Sequence, residues 1–425
     1  MPEALSELSA TAIAAQIGAG ELTSEEVVSA CLARIAEREG DVHAWVHIDA
    51  DAALAAARQC DSEPARGPLH GVPVGVKDLI DTADAPTAYG SPIYADHRPA
   101  DDAVCVRRLR DAGAVILGKT VTTEFALFHP GPTANPHDLT RTPGGSSSGS
   151  AAAVADHMVP LALGTQTAGS IVRPASFCGI YGFKPTFAVI PTDGVKAIGP
   201  SLDTLGPLAR TVDDLVLTAA VMADDPELAQ IDGGQPSIAF ARTYEWDRAE
   251  PATRDALTDV ADRLDLPRVD LPAAFADLVA AQILIMDAEA AAALDREYRT
   301  HPELLSDQLR ETLERGRAIG SDELHDAHAL ADRCRAELPA VFAAHDVLVV
   351  PSVIGEAPVG QETTGDPLFC RLWTLLGTPS VAIPGLLGPD GMPVGLQVVA
   401  GLHRDSDALT AARWIGQQLS EETVT

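Results

Sequence analysis

The sequence predicts an α/β fold: a single large domain in which a mixed β-sheet core is covered on both faces by α-helices. Short apolar strand signals alternate with amphipathic helical patterns along most of the chain. Strand signals recur near both ends, at residues 72–78 and again at 395–399, which ties the termini into one sheet. Hydrophobic residues make up 46% of 425, ample for a large core, while aromatics at 4% make that core aliphatic. Length alone would also allow two or three ordinary domains.

Taken in order, residues 23–38 have the pattern of an amphipathic helix. Thr23 and Glu26 stand at capping-box spacing, and Val27, Val28, Cys31, Leu32 and Ile35 form one apolar face, with Gly40 as the expected stop. A second helical pattern covers 51–58. Residues 67–71 read as a turn and 72–78 as a short buried strand ending on Lys77, a charge closing an apolar alternation. Residues 104–112 predict a helix and 114–117 a strand. The segment 113–120 matches the P-loop pattern letter by letter, yet its middle, Ala114-Val115-Ile116-Leu117, is strand filling that resists a phosphate-cradling turn. Short strands and turns are expected at 183–186 and 190–192, a polar loop at 201–207, a helix at 211–222 and an exposed connector at 224–235. Helical patterns dominate 250–340 and offer few residues for chemistry. Strands return at 347–351, 380–384 and 395–399, before a closing helix at 409–419.

Composition excludes several functions. A formal charge of −31 disfavours a nucleic-acid partner, which needs a basic stripe, and fits a halophilic or highly soluble protein. Six scattered cysteines contain no Cys-x-x-Cys pair, so buried reduced thiols are expected rather than a zinc site or disulfides. The start of the chain has no basic region followed by an apolar run, and no uncharged apolar stretch reaches about 18 residues. These features predict a soluble cytoplasmic protein without a membrane span, a metal or a cofactor.

Chemistry concentrates at 143–174. Pro-Gly-Gly-Ser-Ser-Ser-Gly-Ser (143–150) and Gly-Thr-Gln-Thr-Ala-Gly-Ser-Ile-Val-Arg-Pro (164–174) flank an Ala/Val-rich segment. Three readings compete. Gly145-Ser146-Ser147-Ser148-Gly149 matches a nucleophile elbow centred on Ser147, which needs a downstream acid and histidine. None of His301, His325, His328, His345 and His403 sits in a loop that recommends it. The glycine loops are otherwise structural, or a non-catalytic anion nest. The third reading is a serine hydrolase with a lysine base: Lys77, among Val72, Val74 and Val76, has surroundings that depress its pKa. No lysine has a serine three residues before it, so the β-lactamase pattern is absent.

These pieces, with 71–78, 118–126, 182–186, 202–212, 375–384 and 393–399, resemble the amidase signature family in order and along nearly the whole chain. The resemblance implies one amidase domain over 1–425, with a motif core at 67–215 and 345–400 and a variable helical region at 225–345 that helps shape the pocket. It also implies a catalytic set of Lys77, Ser146 and Ser170. In that set Ser170 attacks the carbonyl, Ser146 (cis in the family) relays the proton, and Lys77 is the base. Thr167, Ala168, Gly169 and Ser170 would supply the oxyanion-hole N–H groups, with Gly144, Gly145 and Ser147 as the supporting loop.

Two departures stand out. Most members carry an Asp/Arg pair four before and two after the nucleophile, where this chain has Gln166 and Val172, with arginine one place later as Arg173. Leu372-Trp373-Thr374 stands where transamidase subunits usually carry asparagine. The expected activity is therefore hydrolysis of a small-molecule amide to acid plus ammonia or amine. Carbamate, urea-type or ester hydrolysis is one alternative, and an amidotransferase subunit feeding a partner is another. A homodimer is compatible. Tyr244, Trp246, Ile283, Ile285, Met286, Phe369 and Trp373 could line a pocket, although core packing suits most of them.

Overall fold

In a computed structural model that describes residues 5–231 and 234–421, eleven strands form one sheet. They are β1 (Trp45–Ile48), β2 (Pro73–Lys77), β3 (Val115–Thr120), β4 (Leu161–Gln166), β5 (Tyr181–Lys184) and β6 (Thr204–Ala209), then β7 (Ile238–Arg242), β8 (Arg268–Asp270), β9 (Val347–Pro351), β10 (Ser380–Leu387) and β11 (Pro393–Ala400). Their spatial order is β1-β3-β2-β4-β6-β5-β10-β11-β9-β7-β8. The sheet is mixed: β3, β2 and β4 run parallel, β4 through β9 pair antiparallel, and β7 is parallel to both β8 and β9.

Alternation along the strands shows why both faces are covered. On β9, Val347 and Val349 enter one apolar core while Leu348 and Val350 enter another; on β7, Ile238 and Phe240 part in the same way from Ala239 and Ala241. The first core takes the helices Ser24–Val42, Val212–Ala223 and Asp405–Glu421. The second is closed by Leu278–Ala293, Ser321–Val341 and Leu368–Leu376.

Several expectations shift by identifiable physics. The Thr23–Glu26 capping box forms, but the helix runs past Gly40 to Val42 and ends on His43 in the left-handed region. Residues 204–207, read as a loop, open β6, a central strand. Gly206-Pro207 imitates a turn, yet the pairing of β5 with β6 covers only Leu208 and Ala209, so Pro207 has no ladder donor to lose on that side. Residues 190–192 form no strand. The region 225–345 is not purely helical, since β7 and β8 extend the sheet there. The P-loop look-alike is β3, and its Lys119 is fully buried, 3.2 Å from Asp78 and bonded to the Ile80 carbonyl and Thr87. All six cysteines are buried and unbonded to one another. Among the described residues no helix is long and apolar enough to cross a membrane.

Candidate active site

Lys77 ends β2 where the parallel strands β2 and β4 present their carboxyl ends, the edge at which α/β sheets ordinarily place ligands. The side chain is fully buried. Its Nζ donates to Ser146 Oγ at 2.7 Å and to Thr165 Oγ1, on β4, also at 2.7 Å. Among the described residues Lys77 forms no ion pair. Burial holds its amine well below the ordinary lysine range, and the charge of Asp203 opposes that only in part. The shift favours the neutral amine, the form that a base requires.

The loop carrying Ser146 is tightly built. Gly144 has φ +82°, and a Cβ there would stand 2.9 Å from Pro174 Cα, so only glycine fits. The Gly145–Ser146 peptide is cis. Thr123 N–H donates to the Ser146 carbonyl at 3.3 Å, and Ser148 Oγ to the Gly144 carbonyl at 2.8 Å. Arg173 donates to the Gly145 carbonyl through both Nε and Nη2, at 3.2 and 2.6 Å, and also bonds Thr364 and the Gly365 carbonyl. Burial lowers its guanidinium to about 10. The arginine displaced by one place thus braces the serine loop instead of pairing with residue 166.

Ser170 lies between β4 and the helix Val172–Phe177. Its carbonyl accepts from Ser147 N–H at 3.4 Å, which sets its backbone against the residue after Ser146. Its Oγ makes no hydrogen bond among the described residues, so Ser146 and Ser170 are neighbours without a direct bond between their hydroxyls. Ser147, the elbow candidate, is fully buried and exchanges long bonds, 3.3 and 3.4 Å, with the Thr165 backbone. Among the described residues it has no histidine partner.

The turn 167–170 has an unusual hydrogen-bond balance. The carbonyl of Thr167 accepts from Gln282 Nε2 at 2.9 Å, that of Ala168 from Thr374 Oγ1 at 2.7 Å, and that of Gly169 from Arg173 N–H at 2.9 Å. The N–H groups of Thr167, Ala168, Gly169 and Ser170 have no acceptor among the described residues. Buried donors are rarely left unmade, so four in succession are available to an acceptor from outside the chain. Thr167 Oγ1 in turn donates to Asp203 Oδ1 at 2.5 Å, and Asp203 Oδ2 accepts from Ile198 and Gly199 N–H at 2.8 and 3.0 Å.

Of the suggested pocket residues, Ile285, Met286 and Trp373 pack in the core that contains Ala168, and Phe369 in a small cluster with Ala249 and Leu368. Tyr244 and Ile283 are exposed, and Trp246 packs edge-on against Phe240. His325 is exposed on its helix. A cavity of about 760 Å³ opens between Gly90, Glu124, His129 and residues 303–310. Its wall at Glu124 is one residue from Thr123, which holds the Ser146 carbonyl. Sequence reasoning missed Asp203, Gln282 and Arg371. The signal for Arg371 was a single charge inside the apolar run Leu368-Phe369-Cys370-Arg371-Leu372-Trp373.

The model of the Amidase family matches residues 26–409. One subunit of the glutamyl-tRNA(Gln) amidotransferase of Acidothermus cellulolyticus is 36% identical over 95% of this chain and 94% of that protein. Among solved structures, one described as a vestigial protein complex that reveals the evolutionary origins of an s-triazine catabolic enzyme, with inhibitor bound, superposes with a TM-score of 0.88. It is 30% identical and covers 97% of this chain and 99% of that one. The peptide amidase of Stenotrophomonas maltophilia gives 0.83 at 30% identity, covering 97% of each.

Proposed function

This chain belongs to the amidase signature family, and from that premise we propose that it cleaves a carboxylic amide through a serine acyl-enzyme, releasing acid plus ammonia or amine. The observation that carries the proposal is the bond from a fully buried, unpaired Lys77 to Ser146. With its amine neutral, Lys77 takes a proton through Ser146 from Ser170. Ser170 Oγ bonds the amide carbon, and the resulting oxyanion sits on the N–H groups of 167–170. The relay then returns the proton to the leaving nitrogen as the C–N bond breaks. Water enters by the same route and frees the acid.

A second reading is carried by the relatives. Chains named as one subunit of glutamyl-tRNA(Gln) amidotransferases align over nearly all of this one, which supports a version in which ammonia passes to a partner protein. The departures at Gln166, Val172 and Thr374 weigh toward a free-standing hydrolase. Both versions share the acyl-enzyme and differ in the fate of ammonia. The relatives and the unpaired thiols also support a cytoplasmic setting.

A fluorophosphonate label mapped to its site, followed by a panel of amide, carbamate, urea-type and ester substrates, tests the reading. Labelling of Ser170 with release of acid is expected. Absence of both label and amide turnover would sink the hydrolase reading. A stable hetero-complex with poor activity of the isolated chain would favour the amidotransferase instead.

A further inference from the structure

The cation beside the oxyanion turn is underused. Arg371 lies in the helix Leu368–Leu376 and is only 6% exposed. A guanidinium carries five N–H donors in a planar fork. Here just one bond is made, from Nη1 to Gln282 Oε1 at 2.5 Å. Among the described residues Nε and Nη2 meet no acceptor, and neither nitrogen is sealed from solvent. Arg173, equally deep, has every side of its fork served by Gly145, Thr364 and Gly365, so burial alone does not explain the difference. Of the nearby carboxylates, Asp287 pairs with Arg315 through Oδ2 at 3.0 Å while its buried Oδ1 makes no hydrogen bond, to Arg371 or to any other described residue, and Asp366 pairs with Arg248 at 3.5 Å.

The position matters as much as the open fork. Gln282, which holds Arg371, also donates to the Thr167 carbonyl, so two bonds link the guanidinium to the oxyanion turn. Pro367 and Cys370, the residues bounding the first turn of the same helix, pack on Gly169, where a Cβ would stand 2.8 Å from Pro367 Cβ and 3.1 Å from Cys370 Cβ. Burial pulls the Arg371 guanidinium below its usual value, and Asp366 and Asp287 restore it only in part. A chain of net charge −31 repels anions at its surface. An anionic substrate would need a fixed cation inside the site.

We propose that Arg371 recognises a carboxylate on the substrate, making this an enzyme for amides that also bear an acid group. The proposal rests on the amide-cleavage reading and names its substrate class. Nε and Nη2 offer two parallel donors, the geometry that pairs with a carboxylate and that lysine cannot reproduce. Arg371 is thereby a specificity residue, with Gln282 positioning it.

The test compares kcat/KM for succinamate, glutaramate and adipamate (carboxylate on the acyl side) and for N-acetylglycine (carboxylate on the amine side) with neutral isosteres such as 5-oxohexanamide. In the native enzyme at least one anionic amide should exceed its isostere by about tenfold to a hundredfold. Arg371→Met should bring that ratio toward one, and Arg371→Lys should keep part of it, with circular dichroism and Tm confirming that each variant folds. A ratio near one in the native enzyme, or the same ratio in Arg371→Met, overturns the proposal. Should no amide be turned over, the function above fails, while this inference is still read by calorimetry with glutarate. Binding to the native chain that Arg371→Met abolishes sustains it, and no binding overturns it.

Discussion

Gln166 Nε2 donates to Thr374 Oγ1 at 2.9 Å, while its Oε1 accepts from Ile171 and Val172 N–H at 2.9 and 3.0 Å. One neutral amide therefore joins β4, the turn after Ser170 and the helix packed over it. A carboxylate here would need a cation, and Val172, fully buried among apolar groups, supplies none. Gln166→Asp shortens the side chain, drops the bond to Thr374 and buries an unanswered charge. It should cost about 2–4 kcal/mol of stability, read as a fall in denaturant midpoint. Adding Val172→Arg should recover part of the loss. An unmoved midpoint in the single variant would show that the three bonds carry no weight.

In the proposed relay, Lys77 makes function and stability oppose each other. Its folded pKa lies below its unfolded one because of burial, so the unfolded chain binds more protons there. The penalty is largest below the folded pKa, shrinks as pH rises and disappears near about 10.4, the ordinary lysine value. Lys77→Met should thus raise Tm at neutral pH, with a gain that fades toward pH 10, while abolishing acyl-enzyme formation. In the native enzyme the ascending limb of kcat/KM should fall well below the ordinary lysine range. A limb near pH 10 would mean that the amine is not kept neutral by its surroundings.

How much of this could be read from residues alone depended on whether the signal was local. Alternation around Lys77, the capping box at Thr23 and the strands 347–351 and 395–399 are local patterns, and they reappear nearly residue for residue. Asp203 and β6 were hidden because Gly206-Pro207 carries a turn's chemistry, and only pairing with β4 makes it a strand. Gln282 and Arg371 are 89 positions apart in sequence, so no spacing argument could join them. The Gln166 and Val172 departures were visible, but the bonds that let them coexist run to Thr374, on an element far along the chain.

Ser170 and Ser147 separate two catalytic readings in one experiment. Ser170→Ala should abolish fluorophosphonate labelling and lower kcat by at least about a thousandfold, with little change in substrate Kd. Ser147 Oγ holds only the Thr165 backbone, at 3.3 and 3.4 Å. Ser147→Ala should therefore keep the label and cost on the order of 1 kcal/mol of stability. Loss of label in Ser147→Ala, with Ser170→Ala still reactive, would transfer the nucleophile to the elbow.

Asp203 acts on the site in two ways that substitution can pull apart. It anchors the turn 167–170 through Thr167 Oγ1 and the loop through Ile198 and Gly199 N–H, and its charge raises the proton affinity of Lys77. Burial pushes its own carboxyl up, whereas the three donors pull it down. Asparagine nearly preserves the shape, since its oxygen can face the two N–H groups while its amide donates to Thr167. Asp203→Asn thus removes chiefly the charge. Without that charge Lys77 loses its proton more readily, so the ascending limb of the pH profile should move to lower pH, with about a tenfold loss of kcat. Asp203→Ala removes the anchor as well and should lower kcat further, since the turn 167–170 loses its tie through Thr167 Oγ1. A limb that stays put in Asp203→Asn while kcat falls would leave Asp203 as an anchor only, with no electrostatic reach to the amine.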